Sequence, residues 1–192
     1  MALIDQKAWD KGFAPTSSYL RPSKIQEGKD IRFTILGEDS CTGYEVWFEK
    51  GRGVFATEPT EEEILERAKE MNTHVKRDGS FPKFFTAFSV WNYEEEKVQV
   101  FEFSQKSIAE PLSKALTTEE IQAEPHLTDF VISVKGALKS QERKFNVICL
   151  SGRRTKPALN APIEEAWEEA KKRGFNIKVI NSGGNPFKGT IS

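Results

Sequence analysis

Ten consecutive residues, Phe84-Phe85-Thr86-Ala87-Phe88-Ser89-Val90-Trp91-Asn92-Tyr93, place the tightest constraint on what this chain can fold into. Successive side chains of a strand point to opposite sheet faces, so a half-buried strand alternates apolar with polar residues. Here one parity carries Phe84, Thr86, Phe88 and Val90, and the other carries Phe85, Ala87, Ser89, Trp91 and Tyr93. Both faces hold aromatic rings. Such a strand is either buried on both sides or shows rings to something outside the fold. A barrel satisfies this when its interior takes one set of rings and an open groove, or a covering element, takes the other.

The flanking sequence supplies further strands. Residues 1–29 are rich in Pro, Ser and Gly, with scattered Trp9, Phe13 and Tyr19, and read as an irregular N-terminal arm. Lys29 to Gly37 predicts a strand with Ile31, Phe33 and Ile35 on one face and Arg32 and Thr34 on the other. Gly37 to Ser40 predicts a turn. Cys41 to Lys50 then sets Tyr44, Val46 and Phe48 opposite Glu45, Trp47 and Glu49, which places Trp47 on the polar face between two carboxylates. Gly51-Arg52-Gly53 reads as a glycine turn. Thr60 with Glu63 is a capping-box signature, and Ile64, Leu65, Ala68 and Met71 form an apolar helical stripe, so residues 59–72 read as a helical insertion.

A cationic loop from His74 to Gly79 leads into the aromatic strand, which hairpins through Asn92–Lys97 into a strand ending at Phe103. A helix follows from a Ser104 cap, with Ile108, Leu112 and Leu116 together and Pro111 as a point of kinking or early termination. Two more strands put Phe130, Ile132 and Val134 inward, then alternate Phe145, Val147 and Cys149 with Lys144, Asn146 and Ile148. Ala161–Gly174 predicts an amphipathic helix with Ile163, Ala166, Trp167 and Ala170 on one face, Phe175–Ile180 a short strand, and the remainder a loose tail. The order is that of a mainly β (α+β) chain. A five-stranded Greek-key OB barrel, with one helix between its third and fourth strands, has this order, and several mixed α+β folds share it. The expected division is an arm (1–29), a barrel domain (30–150) with its helical insertion, and a C-terminal helix, strand and tail (151–192).

Composition excludes several classes of function. With 38% hydrophobic and 30% charged residues the chain has a soluble globular profile. No apolar run approaches the roughly 20 residues needed to cross a bilayer, and the N-terminus is charged where a signal peptide needs an apolar core. An intracellular location is the expectation. Cys41, Cys149, His74 and His126 stand apart from one another without metal-ligand spacing, so neither a metal nor another cofactor is expected. Nucleotide and hydrolase motifs are lacking. The clusters Glu61–Glu63 and Glu94–Glu96 read as a helix start and a hairpin tip rather than acid–base pairs. Enzymatic activity is therefore not expected.

The remaining signal is aromatic residues interleaved with cations. Unpaired bases stack on exposed rings while Lys and Arg follow the phosphates. The net charge of −1 gives no global attraction to nucleic acid, but basic residues gather between Lys135 and Lys156. The candidate nucleic-acid-binding residues are Arg32, Trp47, Lys83, Phe85, Trp91, Tyr93, Lys135, Lys139, Arg143, Lys144, Arg153 and Arg154. Each has a structural alternative. Trp47 could be covered by the inserted helix or the arm, Phe85, Trp91 and Tyr93 could fill the barrel, and the cations could be ordinary solvated residues.

Four segments, KDIRFTILGEDSCTGYEVWFEK, FFTAFSVWNYEEEKVQVFEFSQKSI, LTDFVISVKG and KFNVIC, together resemble the OB-fold single-stranded-DNA-binding proteins of bacteriophages. Ile31–Leu36, Gly43–Trp47, Val100–Ile108 and Thr128–Val134 carry the similarity, which covers residues 24–150. The resemblance implies a protein that coats and protects exposed DNA strands in phage replication, recombination or repair, without cutting or joining them. It implies single-stranded DNA and replication or recombination proteins as partners, in the cytoplasm of an infected bacterium. Many such proteins end in an acidic tail, whereas this sequence ends NPFKGTIS, which sets tail-mediated recruitment in doubt. The competing expectation is a barrel that serves as an interaction or structural component of a phage or bacterial assembly.

Overall fold

The computed structural model describes residues 18–76, 81–118, 128–137, 143–150 and 157–187, with the backbone alone for 157–160. In chain order the elements are β1 (Tyr19–Leu20), a 3-10 turn (Pro22–Lys24), β2 (Asp30–Phe48), β3 (Gly51–Phe55), α1 (Glu61–Glu70), β4 (Lys83–Asn92), β5 (Lys97–Phe103), α2 (Lys106–Leu116), β6 (Asp129–Lys135), β7 (Lys144–Leu150), α3 (Pro157–Lys172) and a 3-10 helix (Ile177–Ser182). The seven strands make one sheet in the order β1-β5-β4-β2-β6-β7, with β3 paired on β2. The sheet is strongly curled into a half-barrel, and the fold is mixed α+β.

The expected strand, turn and strand over residues 29–50 are a single 19-residue strand. Gly37 to Ser40 do not reverse the chain. Ile35 pairs with Val90 and Ser40 with Phe88, so the register against β4 shifts where β2 carries the extra residues. A bulge of this kind bends a strand and increases its twist. Gly37 sits there at φ +69°, and a Cβ on it would lie 3.1 Å from the Trp167 ring. The bend lets the first half of β2 pair with β6 while its second half pairs with β3. The residues Gly51-Arg52-Gly53 likewise belong to a strand rather than a turn. Gly53 is required there because a Cβ would lie 2.4 Å from the buried Phe48 ring.

Register decides which side chains meet. Phe33 faces Phe130, Ile35 faces Val90 and Phe88 faces Phe101, all on the concave side. The Phe33 ring centre lies 4.8 Å from that of Phe101 and 5.6 Å from that of Phe130. Ile108 and Leu112 of α2 and Leu20 and Ile25 of the arm complete this core. The convex side has cores of its own. Phe85, Ala87, Cys41 and Val100 pack beneath Ile177 and Ile180, and Trp91 and Leu36 pack beneath Ile163 of α3. The aromatic strand is thus buried on both faces over most of its length, by the barrel interior on one side and the C-terminal segment on the other. Phe85 and Trp91 belong to the outer cover, and Phe88 and Val90 to the interior.

Several local expectations need correction. Residues 18–29 are more than an irregular arm, because Val100 N–H donates to Ser18 (3.0 Å) and β1 continues parallel to β5. The arm then crosses to the β6–β7 hairpin, where Arg143 donates to the Pro22 carbonyl at 3.0 Å and to that of Ile25. Helix α2 is preceded by Gln105 rather than capped by Ser104, and it runs through Pro111 to Leu116. Residues 175–180 are not a strand. Ile177 and Ile180 are three apart, the repeat of a 3-10 helix, and both are buried on that spacing. The tail is held as far as Phe187, whose ring lies 5.0 Å from Phe175 and 6.5 Å from Tyr19.

In α1 the predicted capping box forms, with Thr60 N–H donating to Glu63 at 2.7 Å and Glu63 N–H donating to the Thr60 hydroxyl at 3.3 Å. Ile64 and Ala68 pack on Val46 and Phe48, while Leu65 points outward. Thr60→Ala should remove one donor's partner and cost about 1 kcal/mol in urea unfolding; an unchanged midpoint would show that the cap carries no stability.

Candidate nucleic-acid interface

The second half of β2 places Trp47 on the convex side, directly opposite Arg52 of β3. The residue is 38% exposed. The backbone N–H of Lys76 donates to the Trp47 carbonyl at 2.9 Å, and the Lys76 ammonium lies 5.8 Å from the indole centre. A cleft of about 320 Å³ opens beside the ring, walled by Arg21, Glu45, Arg52, Phe85, Glu102 and Ser104 among others. The inserted helix does not cover Trp47, because α1 packs on Val46 and Phe48, which point to the opposite face.

Arg52 is the cleft's structural cation. It donates to Glu45 at 3.2 Å and to both oxygens of Glu102, one at 3.2 Å, with its guanidinium 5.5 Å from the Phe85 ring centre. Burial alone would lower its pKa, but the hydrogen bond and charge of Glu102, followed by those of Glu45, outweigh this and raise it. Its charge is therefore committed to two carboxylates. Burial, reinforced by Glu102, also raises the Tyr19 pKa and keeps that hydroxyl protonated. The cations left for a ligand are Arg21, whose guanidinium stands 5.1 Å over the Tyr19 ring, Lys76 and Lys83; none of these makes an ion pair with a described residue.

The sequence candidates separate into groups. Trp47 and Lys83 lie at one end of the sheet, since Glu45, two residues from Trp47, pairs with Lys83. Phe85, beneath Ile177 and Ile180, and Trp91, beneath Ile163, are only 1% and 8% exposed, so neither offers a ring face to a base, although Phe85 contributes atoms to the wall of the Trp47 cleft. At the other end, Arg32 donates through Nε to Asp129 at 3.1 Å and through Nη2 to the same oxygen. Tyr93 donates to the second Asp129 oxygen at 2.8 Å, and the Arg32 guanidinium lies 4.7 Å from its ring centre. The hydrogen bond to Asp129 raises the Arg32 pKa, with burial opposing. Arg143 holds the arm. Lys135 and Lys144 pair across β6 and β7 and are exposed. Lys139, Arg153 and Arg154 lie outside the described residues.

Sequence reasoning missed Arg21 and the exposed rings Phe84 (50%) and Phe81 (81%). Parity grouped Phe84 with the shielded Phe88, but β4 extends past the end of the core at Phe84. Among the described residues no group of three or more His, Cys, Asp or Glu side chains could hold a metal ion, and none of their helices is long and apolar enough to cross a membrane. No protein-family model, curated protein or solved structure matches the chain.

Proposed function

We propose that this protein binds single-stranded DNA without sequence preference and coats it during phage replication, recombination or repair, with no catalytic step of its own. The observation that carries the reading is Trp47, a part-exposed residue on the convex sheet face, with Arg21 on the wall of the same cleft and Lys76 against its ring. A ring accepts any base, and the cations meet the phosphates on either side of it. The strand order β5-β4-β2-β6-β7, with α2 between β5 and β6, supports reading the half-barrel as an OB-fold whose opening the arm bridges.

Titration with oligothymidylate should quench tryptophan fluorescence, and affinity should fall steeply as salt rises. Trp47→Ala should weaken binding by about 1–3 kcal/mol, the worth of one stacked base, while leaving the melting temperature near that of the parent. No change in fluorescence or mobility at low salt would reject the proposal. A second reading, a protein-interaction component of a phage or bacterial assembly, draws on Ile148 (49% exposed) and Leu150 (37%) on the outer face of β7. Association with particles in the absence of oligonucleotide binding would favour it.

A further inference from the structure

A second cleft, of about 370 Å³, lies between the start of β4 and the start of α2, lined by Lys83, Phe84, Thr86, Phe103, Ser104, Lys106 and Ala109. Phe84 is half exposed, and its ring meets that of Tyr44 edge-on, with centres 5.3 Å apart. Phe81, at 81% exposure, stands three residues earlier. Most other phenylalanines of the sheet are buried, so Phe84 is exceptional in leaving its ring exposed on the lining of an open cleft.

Cations frame the cleft. Lys83 makes no ion pair with a described residue, and the one described partner of Lys106 is Glu110, at 3.2 Å, in a pair that is 85% and 65% exposed. Such exposed pairs hold little energy and yield readily to a phosphate. Register gives the relation to Trp47. Phe84 pairs with Tyr44, so both side chains stand on the sheet face opposite Trp47. The two clefts nevertheless adjoin, because Phe103 and Ser104 line both.

We propose that this cleft is a second base-stacking subsite, with Phe84 as its ring and Lys83 and Lys106 as its phosphate partners, reached by a DNA strand that leaves Trp47 and crosses the rim at Ser104. The inference rests on the single-stranded-DNA reading and extends it from one ring to a path around the end of the sheet. Mixed rings and ammonium groups suit a polyanion bearing flat bases, whereas a protein partner would call for an apolar surface without the lysines.

The test uses the full chain and labelled oligothymidylates of about 4 and about 16 nucleotides, the ends of the usual range for one such barrel. Phe84→Ala and Phe84→Leu should each weaken the longer oligomer about tenfold, leave the shorter one unchanged, and leave the melting temperature unchanged. Lys83→Gln with Lys106→Gln should make the slope of log affinity against log salt shallower by about 1.4, at about 0.7 per phosphate on a single strand. Parent-like binding of both lengths by the Phe84 variants would overturn the subsite while the Trp47 reading stands. Loss in Phe84→Ala but not in Phe84→Leu would overturn it as well, showing an apolar contact rather than stacking. Absence of binding by the parent chain, with no quenching of Trp47, would overturn both.

Discussion

Arg52→Met is expected to lower the free energy of unfolding by about 3–5 kcal/mol, the usual cost of removing one partner from a buried ionic group. The Arg52 side chain is 21% exposed, and those of Glu45 and Glu102 are each 12% exposed. One guanidinium serves both carboxylates. Without it, two largely dehydrated negative charges face each other across the Trp47 cleft with nothing between them. Neutralising them as well, in Arg52→Met with Glu45→Gln and Glu102→Gln, should restore much of the loss, because the penalty lies in unpaired charge rather than in missing contacts. Urea denaturation of the single and triple variants measures both terms. A loss under about 1 kcal/mol for the single variant would put the group in the range of exposed pairs; Arg52 would then be free to meet phosphate, and its exclusion from the interface would be wrong.

Alternation made much of the barrel interior legible. Phe33 and Ile35, Val46 and Phe48, and Phe130, Ile132 and Val134 occupy the faces their parity predicts, because no bulge interrupts the pairing over those spans. The break at Gly37–Ser40 was not legible as a bend. Gly, Glu, Asp and Ser favour turns through local chemistry, and a bulge uses the same chemistry. What separates the two is partner pairing, since β4 and β6 hold the two halves of β2 in one continuous strand. The C-terminal cover was illegible for a related reason. Ile177 and Ile180 carry a three-residue repeat too short to weigh against an alternating reading of the same stretch, and their partners, Phe85 and Ala87, lie far away in the sequence.

The same long-range pairing explains which site residues could be found in advance. Trp47 is conspicuous because a large ring on a polar parity has no local reason to be there. Phe84 is inconspicuous because its parity is that of the core, and only the end of the core decides that it emerges. Cation counts mislead where the fold occupies the side chain: Arg143 is held by arm carbonyls, and Arg32 is paired with the Asp129 carboxylate. Arg21, in a segment that looked irregular, gains its place through β1 pairing beside β5.

Phe85→Ala is expected to cost about 3–5 kcal/mol of stability, as large-to-small replacements of buried rings do. Phe85 is 1% exposed and joins Cys41, Ala87 and Val100 to Ile177 and Ile180, with the Arg52 guanidinium over its ring. Emptying that position removes the floor of the C-terminal cover and the surface against which Arg52 lies, and the residues around it belong to three separate strands that cannot all move in to fill the space. Phe85→Leu keeps most of the volume and should lose much less. The pair discriminates between structure and recognition. If Phe85 stacked on a base, Phe85→Leu would bind oligothymidylate as poorly as Trp47→Ala while melting close to the parent. If it is a packing residue, Phe85→Leu binds normally, and Phe85→Ala melts early with a rise in dye-accessible apolar surface from the uncovered convex face. Denaturant unfolding alongside oligonucleotide titration of the two variants distinguishes these outcomes, and the burial of the ring beneath Ile177 and Ile180 leads us to expect the second.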